Sequence, residues 1–566
     1  MLAVHQTLNT DRVRALPYKL ADSFLTAGIL LATLSFAASL TPSLIPRSYL
    51  IQGVLSGFSA ALGYGVGWLV YWLWTYLELP QPRGRALKAV RIAVVGACVV
   101  IAVVFLWRTL EWQNSIRVLM DLSPLDTASP LHTGAVAIAV FAALMILARL
   151  FTYTCLLFSN WLARFIPRRI SRVIGALVAI ALFWSAAEGL IFRQALHTLD
   201  LSFQEMDALI EDDLPRPAAS IRTGSAASLL SWEGLGRQGR RFVSSGPSGE
   251  EIGAFLGQEA MDPIRVYVGM NSADTADERA RLALEELKRT GAFDRSILII
   301  VMPTGTGWVD PAALDPVEYL HKGDIASVAL QYSYLASWLS LLVEPDYGAE
   351  AGHALFREVY TYWSSLPRDA RPKLYLHGLS LGAMNSERSA DFFDIIADPF
   401  HGALWSGPTF SNYTWRSVTN DRNPGSPEWL PRFRDSSIFR FTNQDDALDI
   451  PGATWGPMRI VYLQYASDPI TFFEVDTLYQ EPDWMKAPRG PDVSEQVRWY
   501  PLVTMLQLTV DMMIATTSPM GFGHVFAPQH YIDAWMAVTE PEGITPEDVA
   551  RLKALFLARG STPVSG

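Results

Sequence analysis

The chain has 566 residues, half of them hydrophobic and only 18% charged, with a net charge of −11. Soluble domains carry about a quarter charged residues, so part of this chain is expected to sit out of water, and the acidic balance without a long Lys/Arg tract argues against a nucleic-acid partner. The two cysteines, Cys98 and Cys155, both lie in apolar runs and offer no disulfide framework, and no metal-ligand spacing stands out among the nine histidines.

Before His197, five apolar runs approach the roughly 20 residues that span a bilayer. They are about Phe24–Leu40, Ile51–Leu77, Ile92–Leu110, Gly134–Phe158 and Ile174–Leu196. The sequence therefore predicts a five-span helical membrane domain over residues 1–196. The first run ends at Thr41-Pro-Ser-Leu-Ile-Pro46 without a clear small-residue cleavage site, so it is read as a span and not as a signal peptide. Eleven basic residues lie on the tail (Arg12, Arg14, Lys19) and in two connections (Arg83, Arg85, Lys88, Arg91; Arg164, Arg168, Arg169, Arg172). Only Arg47, Arg108, Arg117 and Arg193 fall on the other side. Cytoplasmic loops retain positive charge. This predicts a multi-pass protein of the inner (cytoplasmic) membrane, with its N-terminus in the cytoplasm and, after an odd number of spans, its C-terminal domain outside. Glu188 in the fifth run reads as a functional group or as a carboxyl that is protonated or paired with Arg108 or Arg193, because a charge in lipid is costly. Arg149 is expected to snorkel, and the glycines from Gly53 to Gly67 to allow close helix packing.

Residues 197–253 lose periodicity and are expected to form a linker. An acidic stretch ends at Asp213, followed by Leu214-Pro-Arg-Pro217 and a Ser/Gly-rich segment. From 254 to 560 a βα alternation takes over. Ile264–Met270, Ser296–Met302, Lys373–His377, Gly402–Ser406, Ile438–Thr442 and Arg459–Tyr465 read as strands. Ala276–Arg289, Ile325–Leu342 and His353–Ser365 read as helices. Near-continuous apolar strands of this kind imply a mostly parallel, doubly covered sheet. The run Leu502–Thr517 is short and carries Asp511, which suggests a buried helix of this same globular part.

The chemistry concentrates in Gly378-Leu-Ser-Leu-Gly382, which closes one strand and opens a helix. A G-x-S-x-G elbow needs that context, because the serine must sit on a sharp turn. Ser380 is the candidate nucleophile, and a serine hydroxyl needs an adjacent base. His524, in the Gly-rich segment Met520-Gly-Phe-Gly-His-Val525, is the candidate base, with His530 as its rival. His377, just before the elbow, reads as structural. Asp468, after the last strand before the His loop, is the candidate orienting acid, with Asp445 and Asp446 as alternatives. The order Ser, Asp, His is that of α/β-hydrolases. An oxyanion would need prearranged N–H donors. Leu381 is expected to supply one, and Thr304, in Pro303-Thr-Gly-Thr-Gly-Trp308, the other. That Gly-Thr-Gly lacks the Lys and helix of a P-loop, and no cofactor is expected.

Leu235-Gly-Arg-Gln-Gly-Arg-Arg-Phe-Val243, Pro263-Ile-Arg-Val-Tyr-Val-Gly269, the Pro303–Trp308 loop, the elbow and Ala466-Ser-Asp-Pro469 together resemble one family. It is the bacterial membrane-anchored α/β-hydrolases with an N-terminal multi-span domain. The resemblance implies an α/β-hydrolase fold and a triad of Ser380, Asp468 and His524. Where that family favours Gly-His-Gly-His, this chain has Gly521-Phe-Gly-His524, so the first His has no counterpart. The expected function is cleavage of a lipid or envelope acyl ester. Acyl transfer by the same residues, or binding and sensing on a hydrolase scaffold, are the alternatives.

Overall fold

The computed structural model describes residues 25–80, 85–185, 207, 210, 211, 214–335 and 347–560, with backbone only at 86 and 392. They fall into two compact units. The first holds the N-terminal helices up to residue 185 together with Val475–Glu481 and Ser494–Asp511; the second holds the rest.

In the first unit the helices are α1 (Thr26–Leu40), α2 (Tyr49–Tyr76), α3 (Arg85–Leu119), α4 (Pro130–Leu162) and α5 (Arg168–Ser185). Small residues bring α1 and α2 together in antiparallel register. A Cβ at Gly63 would stand 2.4 Å from Leu31 O, and one at Gly67 would stand 2.6 Å from Ala27 O. Ser39 Oγ bonds Ser56 Oγ at 2.9 Å at the other end of the pair. Such close backbone approach is how apolar helices associate where water gives no driving force. Among the described residues, three helical stretches are long and apolar enough to cross a membrane: Tyr49–Tyr76, Leu87–Leu119 and Pro130–Leu162. These three correspond to the second, third and fourth of the five expected runs. The 15 residues of α1 cover only about 22 Å at about 1.5 Å per residue, short of a roughly 30 Å hydrocarbon core. The fifth apolar run continues past α5 into residues outside those described, and Glu188 and Arg193 lie there.

A buried polar knot ties α1, the α1–α2 connection and the helix Val503–Met513. Arg47 Nη2 lies 2.7 Å from Asp511 Oδ1, with the two side chains 1% and 0% exposed. Ser43 Oγ and the Leu44 amide also donate to Asp511 Oδ2. Gln507 Nε2 donates to Thr41 O at 3.0 Å, and Arg47 Nη2 to Gln507 O at 3.2 Å. Of the run 502–517, expected in the globular part, the residues up to Asp511 belong to the first unit and those from Met512 on to the second. Its acidic residue is there to meet an arginine from the α1–α2 connection.

The second unit is built on one seven-stranded sheet. Its strands are β1 (Ile264–Val268), β2 (Ile297–Met302), β3 (Ile325–Leu330), β4 (Lys373–Leu379), β5 (Gly402–Ser406), β6 (Phe439–Thr442) and β7 (Arg459–Leu463). Their order is β1-β3-β2-β4-β5-β7-β6, and every adjacent pair is parallel. Every residue of β1, β2, β3 and β5 is buried, and β2 is an unbroken apolar run. The helix expected from residue 325 is instead β3, which pairs with both β1 and β2. The helix before it, Pro311–Leu320, starts at Pro311 with Asp310 Oδ1 accepting the Ala312 amide at 2.9 Å. Such a cap with Pro at the first position is a strong helix start. Residues 197–253, expected as a linker, contain the helix Gly236–Ser245 and the start of a second, Gly249–Leu256. The buried Arg265 of β1 donates to Phe242 O at 3.0 Å and to Glu318 and Asp315 at 2.7 and 2.6 Å.

Removing Asp511 alone would leave the Arg47 guanidinium buried without its counter-ion, at a cost of about 3–5 kcal/mol. Asp511→Ala should therefore lower the apparent Tm of the detergent-solubilised protein sharply. Adding Arg47→Met to it should recover much of the loss. A cycle in which the two substitutions simply add would show that the pair is not coupled.

Candidate active site

Ser380 sits between β4 and the helix Leu381–Glu387 at φ 59° and ψ −124°. A non-glycine residue held there carries about 1–3 kcal/mol of strain. The flanking glycines are what the turn requires. A Cβ at Gly378 would stand 2.3 Å from Gly382 O, and one at Gly382 would stand 2.2 Å from Met302 O, at the end of β2. The Ser380 amide donates to Ser406 O at 3.0 Å, which fixes the turn to the end of β5.

The sheet order decides which acid comes near. β7 lies next to β5, while β6 is at the edge. Asp468, just past β7, is fully buried, whereas Asp445 and Asp446, past β6, are exposed. Asp468 Oδ2 lies 2.7 Å from His524 Nδ1 and accepts Thr471 Oγ1 at 3.2 Å, and Oδ1 accepts the Ile470 amide at 2.9 Å. His524 is held by a tight turn in which the Gly521 amide donates to Val525 O at 2.8 Å. Its Nε2 is buried and makes no hydrogen bond among the described residues. Gly407, directly after Ser406, packs on the imidazole so closely that a Cβ there would stand 2.6 Å from Cε1. Ser380, Ser406–Gly407 and His524 are thus consecutive neighbours. The Ser380–His524 hydrogen bond itself is not made, as is common before substrate tightens a site.

The rival histidines are engaged elsewhere. His530 Nδ1 bonds the Tyr465 hydroxyl at 2.6 Å, and that hydroxyl also accepts the Ala527 amide. Burial pulls the His530 imidazole down to about 4. His377 Nδ1 bonds Leu404 O at 2.7 Å, and burial likewise holds it near 4. Leu381 opens its helix, and first-turn N–H groups have no intrahelical acceptor. Thr304 differs from expectation. Its amide donates to Trp308 O at 2.9 Å, so the turn that brings the loop beside Gly382 uses that donor itself.

Asp310 was not singled out in the sequence. It caps a helix, and Tyr531 Oη lies 3.2 Å from its Oδ2 and 2.8 Å from Ser406 Oγ. Burial raises its carboxyl to about 7, with hydrogen bonds and the nearby His524 pulling the other way. A helix start of the Asp-Pro type was the available signal, but it reports the cap and not the neighbour.

A parallel α/β sheet with a strained serine elbow beside a buried Asp–His pair defines a protein of the α/β-hydrolase class. Residues 264–552 match the family model described as "Alpha/beta-hydrolase family", and residues 40–247 match "Alpha/beta-hydrolase family N-terminus". The chain belongs to the alpha/beta-hydrolase family. No curated protein and no solved structure matches it.

A carboxyl raised by folding favours the protonated native state. Its stabilising share is complete below the ordinary value of 3.8 and is lost as the pH rises through about 7. Asp310→Asn keeps a capping side chain but cannot ionise. Between pH 5 and pH 8 the variant's apparent Tm should gain steadily on that of the wild type. Parallel Tm curves over that range would mean that Asp310 does not titrate there.

Proposed function

We propose that the protein is a membrane-embedded serine hydrolase that cleaves carboxylic esters, of lipid or cell-envelope acyl type, through an acyl-serine intermediate. The observation that supports this most directly is the buried Asp468–His524 hydrogen bond beside the strained Ser380. In this reading Ser380 Oγ attacks the ester carbonyl carbon while His524 Nε2 takes the hydroxyl proton. The Asp468 carboxylate accepts the Nδ1 proton, which fixes the tautomer and stabilises the imidazolium. The Leu381 amide donates to the oxyanion. Collapse expels the alkoxide, which takes the proton from Nε2. A water then attacks the acyl-serine, gives its proton to Nε2, and the acid leaves as Ser380 is reprotonated. An envelope alcohol in place of that water would make the same cycle an acyl transfer.

Ser380→Ala should abolish hydrolysis of a short-chain p-nitrophenyl ester and labelling by a fluorophosphonate probe, with a loss on the order of 10⁴–10⁶ in kcat. His524→Ala should be as damaging, and His530→Ala mild, because members of a triad act as a unit. Retention of roughly a tenth of the activity in Ser380→Ala would remove it as nucleophile. The opposite ranking of the two histidine variants would move the base to His530.

An extracytoplasmic site in the inner membrane belongs to this reading, and it depends on the outer two apolar segments crossing. If only the three long helices cross, the basic clusters near Arg85–Arg91 and Arg164–Arg172 share one side with the C-terminal domain. The positive-inside bias would then put that domain in the cytoplasm. Fusions after Gly566 decide between them: active alkaline phosphatase with a dark fluorescent protein supports the outside position, and the reverse pattern overturns it.

A further inference from the structure

Asp492 lies 24 residues beyond Asp468 in sequence, yet the fold returns it to the same loops. It is buried, at 2% exposure. Its Oδ2 accepts Ser467 Oγ at 2.6 Å, the Ser467 amide at 3.2 Å and Gln444 Nε2 at 2.7 Å. Ser467 Oγ in turn accepts the Gly523 amide at 2.9 Å, and Gln444 Nε2 also donates to Gly521 O at 3.1 Å. Ser467 immediately precedes Asp468, and Gly523 immediately precedes His524. One carboxyl therefore links the backbones that carry the two partners of the 2.7 Å Asp468–His524 bond. The approach is tight as well as polar: a Cβ at Gly490 would stand 2.0 Å from Ala466 Cβ.

We infer that Asp492 is a positioning residue of the active site, which as a neutral acid holds the Ser467 and Gly523 backbones so that Asp468 and His524 stay in bonding register. The inference rests on the triad reading above. The neutral form follows from an accounting of donors. Asp492 Oδ1 and Gln444 Oε1 are both buried and neither has a hydrogen-bond partner among the described residues. A buried unpaired acceptor costs about 1–3 kcal/mol, and more if charged. The Gln444 amide already donates to Oδ2. A proton on Asp492 Oδ1, donated to Gln444 Oε1, closes a cyclic acid–amide pair and serves both orphan oxygens at once. Burial also pushes this carboxyl up from its ordinary value.

Asparagine can imitate a neutral acid at this position. Its carbonyl oxygen accepts from Ser467, and its amide N–H replaces the acid O–H toward Gln444. Alanine can do neither. A misplacement of about 1 Å in a catalytic pair costs about 10²-fold, which sets the scale expected.

The test uses the full-length protein in detergent, with fluorophosphonate labelling at Ser380 and p-nitrophenyl ester turnover as readouts. Asp492→Ala is expected to lower the labelling rate and kcat by about 10–100-fold with KM little changed, whereas Asp492→Asn stays within about threefold of wild type by the same geometric argument. Ser467→Ala removes the acceptor for Gly523 and should behave as Asp492→Ala; it provides the measurement if Asp492→Ala does not fold. Folded alanine variants that label at the wild-type rate overturn the positioning role. An asparagine variant as slow as alanine overturns the neutral acid and assigns the role to the charge. A folded wild type that is not labelled at Ser380 overturns the triad reading itself, and with it this inference, whatever the variants do.

Discussion

The active region depends on two loops meeting: the one after β7 that carries Asp468 and the one that carries His524, 56 residues later in the chain. Neither loop is regular secondary structure, so their 2.7 Å contact has to be imposed from outside. The sheet does the first part of this. With β4, β5 and β7 side by side, the elbow, Ser406–Gly407 and the acid loop leave the sheet as consecutive neighbours at the carboxyl ends of parallel strands. That is where open α/β sheets put their ligands. Side-chain clamps do the rest. Tyr465 holds the start of the helix Pro528–Thr539 through Ala527 and His530, and stacks on Phe526 with ring centroids 4.5 Å apart.

The stretch of chain between Asp468 and His524 has a second allegiance. It contributes Val475–Glu481 and Ser494–Asp511 to the unit formed by the N-terminal helices, and Pro482–Val493 to the unit of the sheet. Asp511 is the firmest tie on the first side, since it collects Arg47, Ser43 and the Leu44 amide in a dry interior. A buried charge pair of this kind adds little net stability but penalises every arrangement that separates it. A single helix would suffice as an anchor. Here parts of the connection between Asp468 and His524 belong to the unit of the N-terminal helices, so truncating that block would remove more than a tether.

What could be read from the sequence was local. The elbow carries its own signature, because Gly378 and Gly382 are needed within the pentapeptide itself, and the Gly-rich turn around His524 does the same. The strands of the second unit were legible where burial made them unbroken. The failures are long-range. Residues 325–330 mix Ile, Ala, Val and Leu in a pattern that suits either a helix or a buried strand, and only pairing with β1 and β2 decides. The preference for Asp468 over Asp445 rested on chain order, while the physical reason is that β7 precedes β6 in the sheet. Hydropathy found the apolar runs but not which of them cross. Thr304 was expected to offer its amide to an oxyanion, but a turn that bonds that amide to Trp308 O cannot be read from Gly-Thr-Gly.

Hydrogen-bond supply sorts the buried acids around this site into different roles. Asp468 accepts the Ile470 amide and the Thr471 hydroxyl and lies 2.7 Å from His524 Nδ1, a supply that suits a carboxylate. Asp310 receives one amide and shares one tyrosine hydroxyl with Ser406. Asp492 crowds three donors onto one oxygen and leaves the other with none. A buried Oδ1 that receives no donor cannot stay charged without cost. The proton-bearing form of Asp492 inferred above resolves this by making that oxygen a donor.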